Sequence, residues 1–380
     1  MTEADFPEAE FAARTERAQR AMRAAGLDAL FFTTEAEVRY FSGFRTLFWQ
    51  SPTRPWFLVV PRNGKPVAVI PQIGAHLMAS TWLDDIRTFS APHPVDDGIG
   101  LLADVLAPFS RIGMPMGRES SLRMPLDDFR CLQDRMLGAE FVNASGLVRN
   151  LRMVKSDAEI GKLRDICAIG SEAFGRAPDL FHEGQTLKEA FRDFRIELLS
   201  RGADDVPYLV GGAGPGGYGD VISPPTGRRL AEGDVFMLDT GATKDGYFCD
   251  FDRNFAIGCA SEDVKNAHAT LVAAVSAAAD VARPGRTCAD LYRAMAMTIG
   301  QGEGDVGRLG HGLGMQLTEA PSLTSFDHTV LEENMVLTLE PGISLGKGRI
   351  MVHEENIVIR DGEPDFLTRR AGPDIPVLGG

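Results

Sequence analysis

The feature that most constrains the fold of this 380-residue chain is an internal repeat in its second part. The segment Leu230-Ala-Glu-Gly-Asp-Val-Phe-Met-Leu-Asp-Thr-Gly aligns with Leu331-Glu-Glu-Asn-Met-Val-Leu-Thr-Leu-Glu-Pro-Gly at an offset of 101 residues. The same offset carries Gly184-Gln-Thr onto Gly285-Arg-Thr. Self-similarity at a fixed spacing is typical of a duplicated structural unit. The repeat therefore predicts two halves of helix, turn, helix and strands, related by a pseudo-twofold axis.

Helical patterns lie on both sides of each Gly-x-Thr turn. They cover residues 157–176 and 187–200 in the first half, and 262–282 and 288–299 in the second. Ser156 followed by Glu159 forms a capping box before the first of these helices. Because the pattern changes there, we predict a domain boundary at about residue 150, which gives domains 1–150 and 151–380.

The first domain has an α/β pattern. A helical run over residues 8–25 stops at Gly26, and a buried strand run follows. Asn63-Gly64 separates two apolar runs and predicts a β-hairpin. Two further helical segments are expected, near 75–82 and 98–106. Together these elements predict a mixed sheet with flanking helices.

Composition excludes several classes of protein. The chain has 39 basic and 53 acidic residues, a net charge of −14 and no basic run, so we expect no binding to nucleic acid or to an anionic membrane. The five cysteines show no CxxC pairing, which argues against a disulfide framework or a zinc-thiolate site. The first residues are acidic, and no apolar run approaches the roughly 18 residues that span a bilayer. These features predict a cytoplasmic protein.

Carboxylates occupy equivalent places in the two halves. Asp239 falls on Glu340 at the same offset of 101, and each follows four apolar strand residues, where an unpaired carboxylate is costly to bury. Asp250 and Glu354 are each expected to open a strand, and we interpret them as equivalent at an offset of 104, with three extra residues in the second hairpin. His311 lies between glycines that would let the backbone approach a ligand closely.

Four carboxylates and one imidazole form a ligand set for divalent metal ions. Manganese, cobalt, zinc and Fe(II) accept such ligands, and four anions are too many for a single ion. We therefore expect two ions, with manganese first and zinc, cobalt or iron as alternatives. A pair about 3.5–4 Å apart would share a bridging water, lower its pKa and polarise a substrate carbonyl. That chemistry is hydrolytic.

These residues resemble the motifs of the pita-bread metallopeptidases, a group that includes methionine aminopeptidase, aminopeptidase P and prolidase. The matching motifs are Asp239-Thr-Gly, Asp250 eleven residues on, Gly310-His-Gly-Leu-Gly, Leu339-Glu-Pro-Gly, and Glu354 before an acidic residue and an apolar strand. The resemblance covers essentially the whole chain. It implies an α/β fold, with a creatinase-like mixed-sheet N-terminal domain followed by a pita-bread catalytic domain of duplicated α+β structure.

The resemblance also implies roles for individual residues. Asp239 would chelate one ion, His311 and Glu340 the other, and Asp250 and Glu354 would bridge both. It further implies a homodimer and a preference for Xaa-Pro peptide bonds. We expect a dinuclear metallohydrolase that cleaves an Xaa-Pro dipeptide or short peptide through a metal-bridging hydroxide. His311 and Glu340 are its expected catalytic residues, and Glu340 would accept and return the proton.

Three departures from the family pattern affect residues that would face the substrate. Thr318 stands where prolidase-like enzymes have a second histidine, and Val352 stands where an arginine often precedes the last glutamate. The family's upstream histidine is missing, and Asp220 is the nearest polar candidate. These departures leave a second hypothesis open, a lyase similar to dimethylsulfoniopropionate lyase or a non-peptide C–N hydrolase similar to ectoine hydrolase or creatinase. A third hypothesis, a binding module without activity, predicts eroded ligands, whereas all five are present.

Other residues complete the set of candidates. His328 is a candidate replacement for the missing histidine. By family analogy, Trp49 or Arg54 would reach the active site of a partner subunit. We expect Asp252 to pair with Arg253 or solvent rather than to add a ligand. The glycine-rich run 211–219 lacks the ending of a phosphate-binding loop, so we expect it to form a flexible wall of the site.

Overall fold

The computed structural model describes residues 6–301 and 307–379. Residues 1–5, whose two acids partly support the expected location, lie outside the described part. The chain divides into two compact units between Arg152 and Met153. Among the described residues, no helix is both long enough and apolar enough to cross a membrane.

The N-terminal unit contains a six-stranded mixed sheet in the order β4-β3-β2-β1-β5-β6. Its strands are β1 (Ala29–Phe32), β2 (Phe57–Pro61), β3 (Val67–Pro71), β4 (Asp85–Phe89), β5 (Arg111–Met114) and β6 (Glu140–Asn143). Its helices are α1 (Glu8–Ala25), α2 (Glu35–Ser42), α3 (Ala75–Met78), α4 (Ile99–Leu106), α5 (Leu126–Arg135) and α6 (Ser145–Met153). Short 3-10 helices cover Leu47–Gln50 and Gln72–Gly74.

The local signals of this unit form as the sequence predicts, with one exception. Helix α1 ends at Gly26, which adopts a left-handed φ of 65°. β2 and β3 pair antiparallel around the Asn-Gly turn, which confirms the hairpin. The helix expected over 75–82 ends at Met78, because the Ser80 and Thr81 hydroxyls donate to the Leu77 and Met78 carbonyls and turn the chain out of the helix.

The C-terminal unit contains two five-stranded sheets and one hairpin. Its helices are α7 (Asp157–Phe174), α8 (Ala177–Leu180), α9 (Leu187–Ser200), α10 (Glu262–Val281) and α11 (Cys288–Ile299). Its strands are β7 (Asp205–Pro215), β8 (Asp234–Lys244), β9 (Tyr247–Phe248), β10 (Phe251–Ile257), β11 (His311–Gly312), β12 (Glu319–Ser322), β13 (Val336–Leu339), β14 (Gly342–Gly346), β15 (Arg349–Val352), β16 (Glu355–Val358), β17 (Asp365–Phe366) and β18 (Val377–Leu378). One sheet runs β18-β10-β8-β7 with β9 beside β8, the other runs β12-β11-β13-β16-β17, and β14 pairs with β15.

The internal repeat is visible in the hydrogen bonds of the two turns. Thr186 and Thr287 each cap a helix, α9 and α11, through a complete capping box. The Gly184 N–H donates to the Leu230 carbonyl at 2.8 Å, and the Gly285 N–H donates to the Leu331 carbonyl at 2.9 Å. Because both bonds recur at the offset of 101, the predicted duplication is confirmed.

The strand register corrects one predicted equivalence. In the first half Asp252 lies opposite Asp239. In the second half Glu355 lies opposite Leu339, and the next residue of this register, Glu354, faces Glu340. The counterpart of Glu354 is therefore Asp252, at an offset of 102, and the prediction that pairs Glu354 with Asp250 is wrong. The second hairpin is longer by one residue instead of three.

The glycine-rich run also differs from its prediction. Residues 211–215 belong to β7 and pair in register with β8, from Gly211 opposite Leu238 to Pro215 opposite Asp234. Gly211 has a φ of 146°, and a Cβ atom there would overlap the Met237 carbonyl. These glycines therefore serve close strand pairing, and this part of the run is not a flexible wall.

Candidate metal centre

The five predicted ligands lie at strand ends or within strands of the C-terminal unit. Asp239 lies in β8, Asp250 directly precedes β10, His311 opens β11, Glu340 directly follows β13 and Glu354 directly precedes β16. Asp250, His311 and Glu354 are buried, and each offers one ligand atom within 4.8 Å of the other two. His311 Nε2 lies 3.4 Å from Asp250 Oδ2. The fold thus brings ligands from both halves together.

Two carboxylate oxygens of this group have no protein donor in the described part of the chain. Asp239 Oδ1 and Glu354 Oε1 are buried without a hydrogen-bond partner among the described residues. Burial, and then the charges of neighbouring carboxylates, raise the pKa values of Asp239, Asp250 and Glu354 well above the ordinary range. Buried, unpartnered carboxylate oxygens need a cation. The residues therefore fit divalent metal ions.

Glu340 belongs to the same electrostatic group. Burial and the negative charge of Asp252 raise its pKa to about 7. In turn, the charge of Glu340 contributes to the raised pKa values of Asp239, Asp250 and Glu354. Its backbone N–H donates to the Leu309 carbonyl at 2.9 Å, which fixes the chain where it leaves β13.

His311 is held through its backbone and its ring. Its backbone N–H donates to Thr338 Oγ1 at 3.2 Å, and Nδ1 lies 2.9 Å from the Gly312 carbonyl oxygen. Burial lowers the pKa of this imidazole to about 4. At neutral pH the ring is therefore uncharged, with Nε2 directed at Asp250.

The glycines that flank His311 are required by close strand packing. A Cβ atom on Gly310, whose φ is 137°, would overlap the Thr338 carbonyl, and one on Gly312 would overlap the Ala320 carbonyl. Both glycines are needed because the neighbouring strands approach the backbone of β11. Their predicted role in letting the backbone approach a ligand stays a prediction.

A second layer of charged side chains lies behind Glu354. His353 is buried, with Nδ1 3.6 Å from Asp252 Oδ1 and Nε2 3.3 Å from Glu355 Oε1. Arg253 donates to Glu355 Oε2 at 2.9 Å and to the Glu354 carbonyl at 2.9 Å. The guanidinium and the hydrogen bond from His353 hold the pKa of Glu355 at about 2 against its burial.

Asp252 differs from its prediction. It is 1% exposed, and it faces His353 instead of solvent. The Arg253 guanidinium, its predicted partner, pairs with Glu355 and donates to the backbone carbonyl of Asp252. Adjacent residues of a strand point to opposite faces, which explains why Arg253 reaches a different carboxylate.

Tyr208 is a site residue that the sequence analysis missed. It lies on β7 opposite Gly241, two residues from Asp239 along β8. Its hydroxyl hydrogen-bonds to Asp239. Burial and the charges of four predicted ligands, Asp239, Asp250, Glu354 and Glu340, raise the pKa of Tyr208. The only sequence signal for Tyr208 is its position in the strand before β8, which carries the first predicted ligand.

The loop between β11 and β12 is anchored by a buried ion pair. Lys155 Nζ lies 3.4 Å from Glu319 Oε2, and their side chains are 2% and 6% exposed. The Gln316 N–H donates to Glu319 Oε1 at 3.1 Å. A Cβ atom on Gly241 would overlap the Leu317 side chain, so this loop packs against the strand that carries Asp239.

The candidate substrate residues are more scattered. Thr318 is half-buried at the end of this anchored loop. Asp220 is exposed and accepts hydrogen bonds from the Ile222 and Ser223 backbone N–H groups, so it organises its own turn. His328 is exposed in the loop between β12 and β13. The structure brings neither Asp220 nor His328 into the carboxylate group.

Trp49 and Arg54 lie in the N-terminal unit. Trp49 is buried beside Trp56, with ring centroids 6.2 Å apart, and the Arg123 guanidinium lies 5.0 Å from its ring. Arg54 is half-buried with a left-handed φ of 63°, and its guanidinium lies 5.2 Å from the Phe48 ring. Within this unit, both residues take part in one aromatic and cationic cluster.

Comparisons with known proteins match both parts of the chain. Residues 161–361 match the family model of metallopeptidase family M24, and residues 14–154 match that of the creatinase/prolidase N-terminal domain. The chain is 29% identical over 368 residues to the probable dipeptidase PepE of Mycobacterium bovis, with 93% of each chain covered. It is 28% identical over 253 residues to the Xaa-Pro dipeptidase of Pyrococcus horikoshii, covering 65% of this chain and 71% of that one. The crystal structure of dipeptidase PepE from Mycobacterium ulcerans aligns with a TM-score of 0.85 at 28% identity, covering 99% of this chain and 100% of that one.

Proposed function

The chain belongs to metallopeptidase family M24, and on that premise we propose that it is a metal-dependent Xaa-Pro dipeptidase acting on short peptides. The buried group formed by Asp250, His311 and Glu354 carries the proposal, because its ligand atoms lie within 4.8 Å of one another. Relatives named as dipeptidases and as an Xaa-Pro dipeptidase support the substrate class.

Family membership implies divalent metal ions, and we assign them to five residues of this chain. Asp239 would hold one ion, His311 and Glu340 would hold the other, and Asp250 and Glu354 would serve both. When bound, two such ions polarise a substrate carbonyl and lower the pKa of a water molecule. The raised pKa values of the carboxylates and the unpartnered oxygens of Asp239 and Glu354 support this assignment.

We assign Glu340 to accept a proton and return it to the leaving amine. Glu340 is half-buried, whereas Asp250 and Glu354 are buried, so its side chain is more accessible to a bound peptide. His311 orients the site as a neutral ring held by Gly312 and Thr338. Tyr208 holds Asp239 through its hydroxyl.

Manganese is the metal that we propose for the active protein, with zinc, cobalt and iron as alternatives. Carboxylate oxygen dominates the ligand set, and manganese favours oxygen ligands more than zinc or copper does. Metal analysis of protein purified without added metal, followed by reconstitution with each ion, would test the choice. Full activity with zinc alone would contradict it.

The function is tested by peptide cleavage. Mn-loaded protein is incubated with a panel of Xaa-Pro dipeptides and tripeptides, with matched Xaa-Ala peptides and the Asp250→Ala variant as controls. We expect cleavage of Xaa-Pro dipeptides that the variant loses. If protein that holds about two ions per chain leaves every peptide of the panel uncleaved, the proposal is refuted.

A second candidate function has one specific observation in its favour. Thr318, which has no ionisable group, ends the loop beside β12 where the resemblance places a histidine. A lyase or a non-peptide C–N hydrolase on the same metal site would not need that histidine. Turnover of a dimethylsulfonio or ectoine-type compound without Xaa-Pro cleavage would favour this candidate.

We further propose a homodimer, which the family resemblance suggests, and a cytoplasmic location, which the acidic first residues and the lack of a long apolar run suggest. Trp49 or Arg54 of one subunit would then serve the active site of its partner. Sedimentation would establish the dimer, and an Arg54→Ala variant with unchanged turnover would remove that residue from the site. Asp220 and His328 are also candidate substrate contacts. Alanine at a residue that contacts the substrate should raise KM, and an unchanged KM would remove that residue.

A further inference from the structure

Two buried asparagines occupy equivalent positions in the two halves of the C-terminal unit. Asn254 lies on β10 opposite Met237, and Asn356 lies on β16 opposite Thr338. The two asparagines are related by the same offset of 102 that relates Asp252 to Glu354. Neither side chain is more than 2% exposed, so its amide must find partners inside the protein.

Each asparagine reaches across to the backbone of the other half. Asn356 Nδ2 donates to the Asp250 carbonyl, and Asn254 Nδ2 donates to the Val352 carbonyl at 2.6 Å. Asp250 and Val352 are themselves equivalent at the offset of 102. The two contacts are therefore reciprocal, and we call the Asn254 and Asn356 side chains with their backbone partners the asparagine clasp.

The two arms of the asparagine clasp hold the backbone N–H in different ways. Asn356 Oδ1 accepts directly from the Asp250 N–H at 3.1 Å. In the other arm the Tyr218 hydroxyl is inserted: the Val352 N–H donates to its oxygen at 2.6 Å, and the hydroxyl donates to Asn254 Oδ1 at 3.1 Å. Both arms thus hold the N–H and the carbonyl of a single residue.

The clasp acts on the backbone next to two predicted metal ligands. Asp250 is itself clasped, and Val352 lies two residues before Glu354. Asp250 directly precedes a strand of one sheet, and Glu354 directly precedes a strand of the other. The hydrogen bonds within either sheet alone therefore do not fix the distance between these two residues. When a group that orients a metal-binding residue is removed, the metal affinity typically falls 10- to 100-fold.

We propose that Asn254 and Asn356 are positioning residues that fix the separation of Asp250 and Glu354 and thereby set the affinity for the metal ions. The inference rests on the ligand assignment made under the proposed function. It identifies residues that do not touch the metal or the peptide, and it predicts that metal affinity depends on an amide donor at positions 254 and 356.

The test is a calorimetric titration in which manganese chloride is added to metal-free protein. Each variant is measured well below its Tm. We expect Asn356→Ala to weaken manganese binding about 10- to 100-fold. Asn356→Asp keeps the size and the acceptor but loses the donor, so we expect a loss in the same range. Tyr218→Phe removes a single hydroxyl from the other arm, and we expect a smaller weakening.

Asn334→Ala is the matched control for lost stability. Asn334 has a φ of 72° and hydrogen-bonds to Asp157 and Arg360, away from the clasped backbone. We expect this variant to lower the Tm without changing manganese affinity. If Asn356→Ala does not fold, Asn356→Asp and Tyr218→Phe decide the matter. Wild-type manganese affinity in the clasp variants would overturn the proposal.

This experiment separates the inference from the proposed function, because it requires no peptide. Manganese binding that weakens in the clasp variants, with no cleavage of Xaa-Pro peptides by the wild type, would refute the function and support the clasp. Cleavage by the wild type, with unchanged manganese binding in the clasp variants, would support the function and refute the clasp.

Discussion

Asp239 and Asp252 lie directly opposite each other on β8 and β10, on one face of the sheet. Like charges at directly opposed strand positions repel each other, and burial strengthens the repulsion. Burial, and then this repulsion, raise the pKa of Asp239, so the metal-free site favours holding protons. Bound divalent ions would replace those protons.

We predict that metal-free protein loses stability as pH rises from about 6.5 to about 8. Glu340, with a pKa near 7 in the folded chain and 4.5 as its ordinary value, contributes stability below pH 4.5 that is lost as pH rises through about 7. His311 and His268, whose pKa values are lowered to about 4, have the opposite effect, which fades as pH rises past the ordinary histidine value of 6.5. The raised pKa values of Asp239, Asp250 and Glu354 add to the loss and extend it to higher pH. The measurement is the Tm in the presence of a chelator.

Manganese supplies the control for this pH dependence. With saturating manganese the carboxylates no longer titrate in this range, so the fall in Tm should disappear. Calorimetry in buffers of different ionisation enthalpy should also detect protons released on binding. A Tm of the chelated protein that rises between these pH values would contradict the electrostatic account of the site.

Replacing His311 with alanine should abolish both metal binding and activity. The imidazole is the only nitrogen ligand in the predicted set, and its loss leaves Asp250 without its partner at 3.4 Å. We expect kcat/KM to fall at least about 100-fold. His76→Ala, at an exposed position of the N-terminal unit, is the control. Tight manganese binding by the His311 variant would remove this residue from the ligand set.

The Tyr208→Phe variant should bind metal or turn over substrate less well, but it should still bind metal. The phenol hydroxyl bonds to Asp239, and its removal leaves that carboxylate less well oriented. We expect a loss of about 10- to 100-fold in metal affinity or kcat. Tyr292→Phe, in the core beside α10, controls for the loss of a buried hydroxyl. Equal effects of the two substitutions would show that Tyr208 has only a structural role.

Lys155→Met should destabilise the chain far more than Lys265→Met. Lys155 forms a buried pair with Glu319, and breaking such a pair leaves an uncompensated charge that costs about 3–5 kcal/mol. Lys265 pairs with Glu262 on the surface of α10, where a pair contributes about 0–1 kcal/mol. Urea unfolding of both variants gives the two free energies. Similar values would mean that solvent reaches the Lys155 pair.

The elements that sequence predicted well are those encoded by neighbouring residues. The capping box at Ser156 depends on residues three apart, and the repeat of the Gly-x-Thr turns depends on short motifs. The predicted family resemblance and fold class are confirmed by the match to metallopeptidase family M24 and by the PepE structure. The assignment of ligands stays a prediction.

The features that sequence did not predict depend on strand register and on contacts between distant segments. A hairpin longer by one residue instead of three makes Asp252 the counterpart of Glu354. Asn356 contacts Asp250 across 106 residues of sequence, and no local pattern distinguishes it from any buried polar residue. Arg253 was paired with its neighbour, although strand alternation directs it to Glu355.

The bond from His311 to its neighbour has a consequence for the choice of metal. Because Nδ1 donates to the Gly312 carbonyl at 2.9 Å, the ring proton resides on Nδ1, and the lone pair of Nε2 points at Asp250. The tautomer is thus selected by the backbone before any ion arrives. Magnesium and calcium gain little from a nitrogen lone pair, whereas manganese, cobalt, zinc and iron do. We therefore expect this single peptide carbonyl to favour manganese, cobalt, zinc or iron over magnesium and calcium at the predicted site.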